Sequence, residues 1–201
     1  MFRVDSIRRC GSILLLAGLF MVATASGAHA EGFISPFLGY NFSGDSGCPN
    51  ITGCEDKHLN YGVSFGALGS VVGFEEEFAY TNDFFGKTPN GSSTVITLMS
   101  NFMIAPKLGP VQPYGLAGVG LIRTTVSENV LQTNSSDTNQ IGWDIGGGLM
   151  IFFNAHVGIR GDIRYFHSFQ ILDLANLPPG LQLGETKLNY GRASGAFVFK
   201  F

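Results

Sequence analysis

The chain alternates apolar and small or polar residues in one stretch after another. Between 59 and 67 the odd positions Leu59, Tyr61, Val63, Phe65 and Ala67 are apolar, against Asn60, Gly62, Ser64 and Gly66. From 141 to 153, Ile141, Trp143, Ile145, Leu149, Ile151 and Phe153 stand against Gly142, Asp144, Gly146 and Gly148. Val157, Ile159, Ile163 and Tyr165 oppose Gly158, Arg160, Asp162 and Arg164 in the same way. A period of two puts unlike side chains on the two faces of a strand, and no helix can produce it. Weaker versions complete a set of eight predicted strands, over 33–42, 59–68, 72–82, 93–104, 111–123, 141–153, 156–167 and 188–201. The connections near Gly69, Leu108 and Asn154 are short. Those at 43–58, 83–92, 124–140 and 168–187 are long and rich in Gly, Asn, Ser, Asp or Pro.

Two architectures close eight such strands. A soluble barrel would turn its apolar face inward and expose the polar face to water. A membrane barrel does the reverse, with short periplasmic turns and long outer loops. The polar face here is mostly Gly, Ser and Asn, which suits a crowded lumen better than a wetted surface. The apolar face ends in Tyr40, Tyr61, Tyr80, Trp143 and Tyr165 toward the long loops, and in Phe102, Phe153 and Phe201 toward the short turns. Two aromatic rows around an aliphatic band match membrane interfaces. Composition agrees: 28 Gly and 18 Phe accompany only 13% charged residues, about half the usual share. No run of 18 apolar residues exists, so a helical membrane protein is excluded. The expected fold is an all-β, eight-stranded antiparallel up-and-down transmembrane β-barrel, with an even strand count placing both termini in the periplasm.

Residues 1–30 read as a cleaved signal peptide, leaving 31–201 as the barrel domain. Arg3, Arg8 and Arg9 form the basic region, Ile13 to Ala23 the apolar region, and Ala28-His29-Ala30 the cleavage pattern. Without Arg3, Arg8, Arg9 and Asp5, 9 basic and 14 acidic side chains remain from the 12 and 15 of the whole chain. That balance disfavours a nucleic-acid partner, which needs a basic stripe. Cys48 and Cys54 are the cysteines left, and in an oxidising compartment they are expected to form one disulfide closing a small loop.

Gln112-Pro113-Tyr114-Gly115-Leu116-Ala117-Gly118-Val119-Gly120 resembles a strand of the small outer-membrane barrel family, the OmpA-type and opacity-like porin-family proteins. Gly146-Gly147-Gly148 and Arg160-Gly161-Asp162-Ile163-Arg164-Tyr165 are similar to that family's sixth and seventh strands. The ending Phe197-Val198-Phe199-Lys200-Phe201 resembles the terminal aromatic signal, Phe197, Phe199 and Phe201, read by the barrel-assembly machinery. The resemblance spans 31–201. It implies a location, the bacterial outer membrane, with its lipids and lipopolysaccharide as surroundings, more than it implies a chemistry.

Candidate chemistry is sparse. His167 and Ser168 are adjacent, so a strand turns them to opposite faces, and a nucleophile needs its base within hydrogen-bond reach. Gly118-x-Gly120 and Gly146 to Gly148 lie mid-strand with no helix after them, so they are not phosphate loops; they are expected to make room for large luminal neighbours. No catalytic residue, cofactor or metal site is expected. Parity places Glu75, Glu77, Asp144, Arg160, Asp162, Arg164, Arg192 and Lys200 inside the barrel, four acids and four bases. Buried charges must pair, so a salt-bridge network is expected, with Arg164 and Arg192 sharing Asp144. Parity also turns Glu76 toward lipid, where a carboxylate is costly.

Three functions fit this reading. The first is a non-catalytic, monomeric structural or surface-interaction barrel with its lumen filled by charged side chains. The others are a narrow porin-like solute channel and an envelope lipid-modifying enzyme. The long loops carry Asp45, Glu55, Asp56, Asp83, Glu128, Asp137, Asp173 and Glu185 against Lys57, Lys87 and Lys187. Such acidic loops would meet lipopolysaccharide phosphates through divalent cations, or attract a basic extracellular ligand. The apolar stretch Phe169 to Leu183 is expected to fold over the rim or to extend the last hairpin.

Overall fold

The computed structural model describes residues 30–47, 59–86, 91–130, 132–169 and 188–201. Eight strands follow one another: β1 (Glu31–Phe42), β2 (Leu59–Leu68), β3 (Val72–Asn82), β4 (Gly91–Ile104), β5 (Val111–Val130), β6 (Gln132–Phe152), β7 (Val157–Phe169) and β8 (Asn189–Lys200). Each pairs antiparallel with its neighbour in sequence, and β1 with β8 closes the barrel. Closure leaves no edge with unpaired amides, as a wall immersed in hydrocarbon requires. The β1–β8 ladder runs from Phe33↔Lys200 to Phe42↔Gly191 but skips Ser35 and Pro36, where proline has no N–H to give.

Turn chemistry fixes the short connections. Gly69 N donates to Val72 O at 2.8 Å between β2 and β3. Gly109, at φ 68°, supplies the left-handed residue that the turn before β5 needs. Between β6 and β7, Asn154 Oδ1 accepts from the amides of His156 and Val157, both at 2.8 Å, an Asx turn.

One stretch departs from expectation. Residues 124–130 and 132–140 are strand, not loop. β5 and β6 continue in unbroken register from Leu121↔Ile141 to Val130↔Gln132, with β4 alongside β5 as far as Glu128. Thr124, Thr125 and Val126 are β-branched and favour strand. Ser, Asn and Asp in the return segment had the composition of a loop, but a ladder already begun below them carries them along. Three expectations lie outside the described residues: the signal peptide over 1–30, of which Ala30 alone is described, the Cys48–Cys54 disulfide, and the arrangement of 170–187.

Faces follow parity. Leu38, Tyr40, Leu59, Tyr61, Phe65, Phe102, Val119, Ile145, Ile163, Phe197 and Phe201 are exposed on the outer wall. The inner positions form two apolar layers. Phe33, Leu68, Met103, Ala105, Tyr114, Leu116, Met150 and Val198 pack together toward the short turns. Phe84, Val95, Met99, Ile122, Phe166, Leu188 and Tyr190 pack toward the long connections. Phe166 stacks on Tyr190 with centroids 4.8 Å apart, and Phe84 meets Tyr190 edge-on at 5.0 Å.

Candidate functional site: the luminal charge layer

Between the two apolar layers lie seven charged side chains. Glu75 and Glu77 come from β3, Asp144 from β6, Arg160, Asp162 and Arg164 from β7, and Arg192 from β8. None is more than 6% exposed. Arg160 Nη1 pairs with Glu75 Oε2, and Arg164 Nη2 reaches Glu75 Oε1 at 2.8 Å. Arg164 also meets Glu77 Oε2 at 2.9 Å and Asp162 Oδ2 at 3.2 Å. β3 and β7 stand on opposite sides of the ring, so these guanidinium groups span the lumen. Eight strands enclose a space that side chains of this length can bridge.

Asp162 is the most fully served acid. Tyr114 Oη donates to its Oδ2 at 2.6 Å and accepts from Arg160 Nε at 2.6 Å. Arg160 Nη2 lies 3.0 Å from the same oxygen, and Ser194 Oγ donates to Oδ1 at 2.6 Å. The Arg160 guanidinium also lies over the Tyr114 ring, 4.6 Å from its centroid, a cation–π contact.

Two placements differ from the sequence expectation. Arg192 does not share Asp144: its Nη2 donates to Glu77 Oε1 at 2.5 Å. Its guanidinium lies over the ring of Phe37 at 4.8 Å and over that of Phe166 at 4.7 Å. Barrel strands tilt, which brings Glu77 to the level of Arg192 although residue counts along separate strands put it lower. Asp144 is left with Arg164 Nη1 at 3.6 Å and Asn101. In the amide orientation that satisfies both neighbours, Asn101 donates to Asp144 Oδ1 at 2.7 Å and accepts from Arg164 Nη1 at 3.2 Å. Lys200, the other exception, stands at the rim on the side of the short turns. It pairs with Glu31 at 3.2 Å, a residue that Lys107 also meets at 3.0 Å, and it lies 3.6 Å above the Phe152 ring.

Glycines on the inner wall make this packing feasible. A Cβ at Gly146 would lie 2.5 Å from Ile163 O and 2.8 Å from Arg164 Cγ; one at Gly148 would overlap Asp162 Cβ at 2.7 Å. Gly118 is backed by Asn101 and Gly39 by Asn60 and Arg192. Tyr114, Asn101 and Ser194 were not singled out from sequence as members of the layer, although parity alone turns all three inward.

The remaining candidates fall elsewhere. Glu76 lies on the outer wall, where Ser100, its cross-strand neighbour, places its hydroxyl 2.8 Å from both carboxylate oxygens. Phe197, Phe199 and Phe201 also point outward. His167 faces out, its Nδ1 2.5 Å from Asn189 Oδ1, whereas Ser168 is buried and accepts from Leu188 N at 2.9 Å. No catalytic pair forms between these two. Among the described residues, no group of His, Cys, Asp and Glu is arranged to hold a metal ion.

A closed eight-stranded antiparallel barrel with an apolar, aromatic-bordered outer wall and a charged interior defines an outer-membrane type of β-barrel protein. The chain matches the outer membrane protein beta-barrel domain over residues 12–201 and belongs to that family. No curated protein sequence matches it. Among solved structures, it is similar to Neisserial surface protein A at 17% identity and TM-score 0.62, covering 85% of this chain and 97% of that one. A major outer membrane protein from Thermus thermophilus aligns at 13% identity and TM-score 0.60, over 86% of this chain and all of that one. The Yersinia pestis attachment invasion locus protein Ail, in complex with the heparin analogue sucrose octasulfate, aligns at 14% identity and TM-score 0.53, over 86% and 99%. At these identities the likeness is one of fold.

Proposed function

We propose that this protein is a non-catalytic barrel of the bacterial outer membrane whose lumen is closed, and whose working surface is its outer loops. The carrying observation is the burial of the charge layer: seven charged side chains, none above 6% exposed, lie between two apolar layers. A conducting pore would leave such charges wet. The separation of His167 from Ser168 across the wall supports a role without hydrolytic chemistry.

The loops carry an acidic excess in sequence, which favours a basic partner or divalent cations bridging to lipopolysaccharide phosphates. A polyanion of the kind bound by Ail is poorly matched to that charge. Export by a cleaved signal peptide, a disulfide between Cys48 and Cys54, assembly guided by Phe197, Phe199 and Phe201, and a monomeric state complete the reading. Planar-bilayer recording tests its centre. The purified chain should insert, shift its electrophoretic mobility on boiling, and show no stable ionic conductance. A steady open channel would overturn the closed lumen.

A further inference from the structure

The charge layer does not balance. With Lys200 committed to Glu31 at the rim, four carboxylates (Glu75, Glu77, Asp144 and Asp162) face three guanidinium groups (Arg160, Arg164 and Arg192). A formal charge of −1 sealed between apolar layers is expensive, because an uncompensated ion gives up its hydration with nothing in exchange. One acid therefore has to be neutralised, and the contacts single out which. Glu75 holds Arg160 and Arg164; Glu77 holds Arg164 and Arg192; Asp162 holds Arg160, Arg164, Tyr114 and Ser194. Asp144 has one guanidinium, at 3.6 Å, and that one already serves three other acids.

We propose that the luminal layer binds one proton, on Asp144, and that releasing it loosens the layer. This rests on the closed lumen proposed above. The groups acting on Asp144 are Glu75 and Glu77 from β3, Arg164 from β7 and Arg192 from β8, with Tyr190 also within electrostatic range and the neutral Asn101 from β4. The two glutamates make a third negative charge unwelcome, and Arg164 is shared too widely to hold one in place. A protonated Asp144 keeps its bond from Asn101 at Oδ1 and presents a donor to the crowded acids around it. Deprotonation turns that donor into a third carboxylate beside Glu75 and Glu77. The barrel wall would hold, while the side chains filling it would spread.

If the folded chain binds one proton more than the unfolded chain, stability falls as pH rises, by up to about tenfold in the unfolding equilibrium per pH unit. The test is unfolding of the full mature chain in detergent, wild type beside Asp144→Asn, from about pH 5 to about pH 9, in sodium chloride and in the chloride of a bulky organic cation. The wild type should lose stability with rising pH relative to Asp144→Asn, equally in both salts. Parallel pH responses would overturn the proposal, as would wild-type stabilisation specific to sodium, which would make the ligand a metal ion. If Asp144→Asn does not fold, infrared spectra of the Glu76→Gln chain decide: a protonated-carboxyl band should be present at neutral pH and vanish on alkalinisation, and its absence overturns the proton. Conductance of the wild type at neutral pH would count against the closed lumen and leave these proton readouts to be judged separately.

Discussion

Arg192 and Glu77, 115 positions apart, meet inside the barrel at 2.5 Å with both side chains no more than 1% exposed. The guanidinium lies against the Phe37 and Phe166 rings and is buried. Removing the guanidinium leaves a further uncompensated carboxylate in a layer that already holds more acids than bases, so Arg192→Met should destabilise the barrel by about 3–5 kcal/mol. Arg192→Met with Glu77→Leu should cost much less than the two single changes together. Urea unfolding of all three variants in detergent checks this. Additive losses would show that the pair is not coupled.

Tyr114 gives a sharper test of the same layer. Its hydroxyl bridges Arg160 Nε and Asp162 Oδ2, both at 2.6 Å. Tyr114→Phe keeps the ring under Arg160 and removes only that bridge. A buried hydrogen bond to charged groups is worth about 1.5–3 kcal/mol, and a loss of that order is expected in the same unfolding measurement. An unchanged midpoint would mean that Arg160 and Asp162 rearrange to do without it.

An inner and an outer glycine predict a contrast within one residue type. Gly146→Ala must push against Ile163 O and Arg164 Cγ, and forced overpacking typically costs about 1–3 kcal/mol. At Gly195 an added Cβ meets nothing within 4 Å, so Gly195→Ala should be close to neutral. Thermal midpoints of the heat-modifiable form compare the two directly. Equal effects would point to backbone propensity, not luminal crowding, as the reason for glycine.

How much of this was legible in the sequence depends on the distance involved. Parity is a property of one strand, so it assigned Glu75, Glu77, Asp144, Arg160, Asp162, Arg164 and Arg192 to the lumen residue by residue. Partner choice is a property of the closed ring. Counting along strands put Arg192 level with Asp144, whereas tilt delivers it to Glu77. Lys200 shows the limit of parity, because inward orientation at the last rung of β8 puts a long side chain at the rim beside Glu31. The ribbon above Leu121 and Ile141 was hidden for another reason. Ser, Asn and Asp favour turns in isolation, and only the ladder begun below them makes the strand.

Glu76 is an ionisable group on the lipid wall, with Phe65 and Ser100 as its cross-strand neighbours. A charge-bearing side chain in that position costs up to about 2–4 kcal/mol near the midplane for Lys, and less for an acid. Glu76→Gln should therefore leave bilayer stability equal or higher, while Glu76→Lys should lower it. Folding yield into vesicles is the measurement. A marked loss with Gln would show that the carboxyl itself is needed there.

The ribbon at the top of β5 and β6 tests where the barrel ends. β4 pairs with β5 only as far as Gly91↔Glu128, and β7 reaches β6 only as far as Ile141↔Phe169. Above these rungs, among the described residues, β5 and β6 pair only with each other, and an isolated two-stranded hairpin is at best marginally stable. Replacing residues 128–134 with Asn-Gly joins Ser127 to its partner Ser135 through a two-residue turn suited to a hairpin. The shortened chain should assemble in the outer membrane, keep its heat-modifiable mobility and unfold within about 1 kcal/mol of the wild type, since surface changes away from the core rarely exceed that. Protease added to intact cells should cut the wild-type ribbon and spare the shortened one. If the shortened chain failed to assemble, the ribbon would instead have to be counted as part of the folding unit, with β5 and β6 stabilised along their full length.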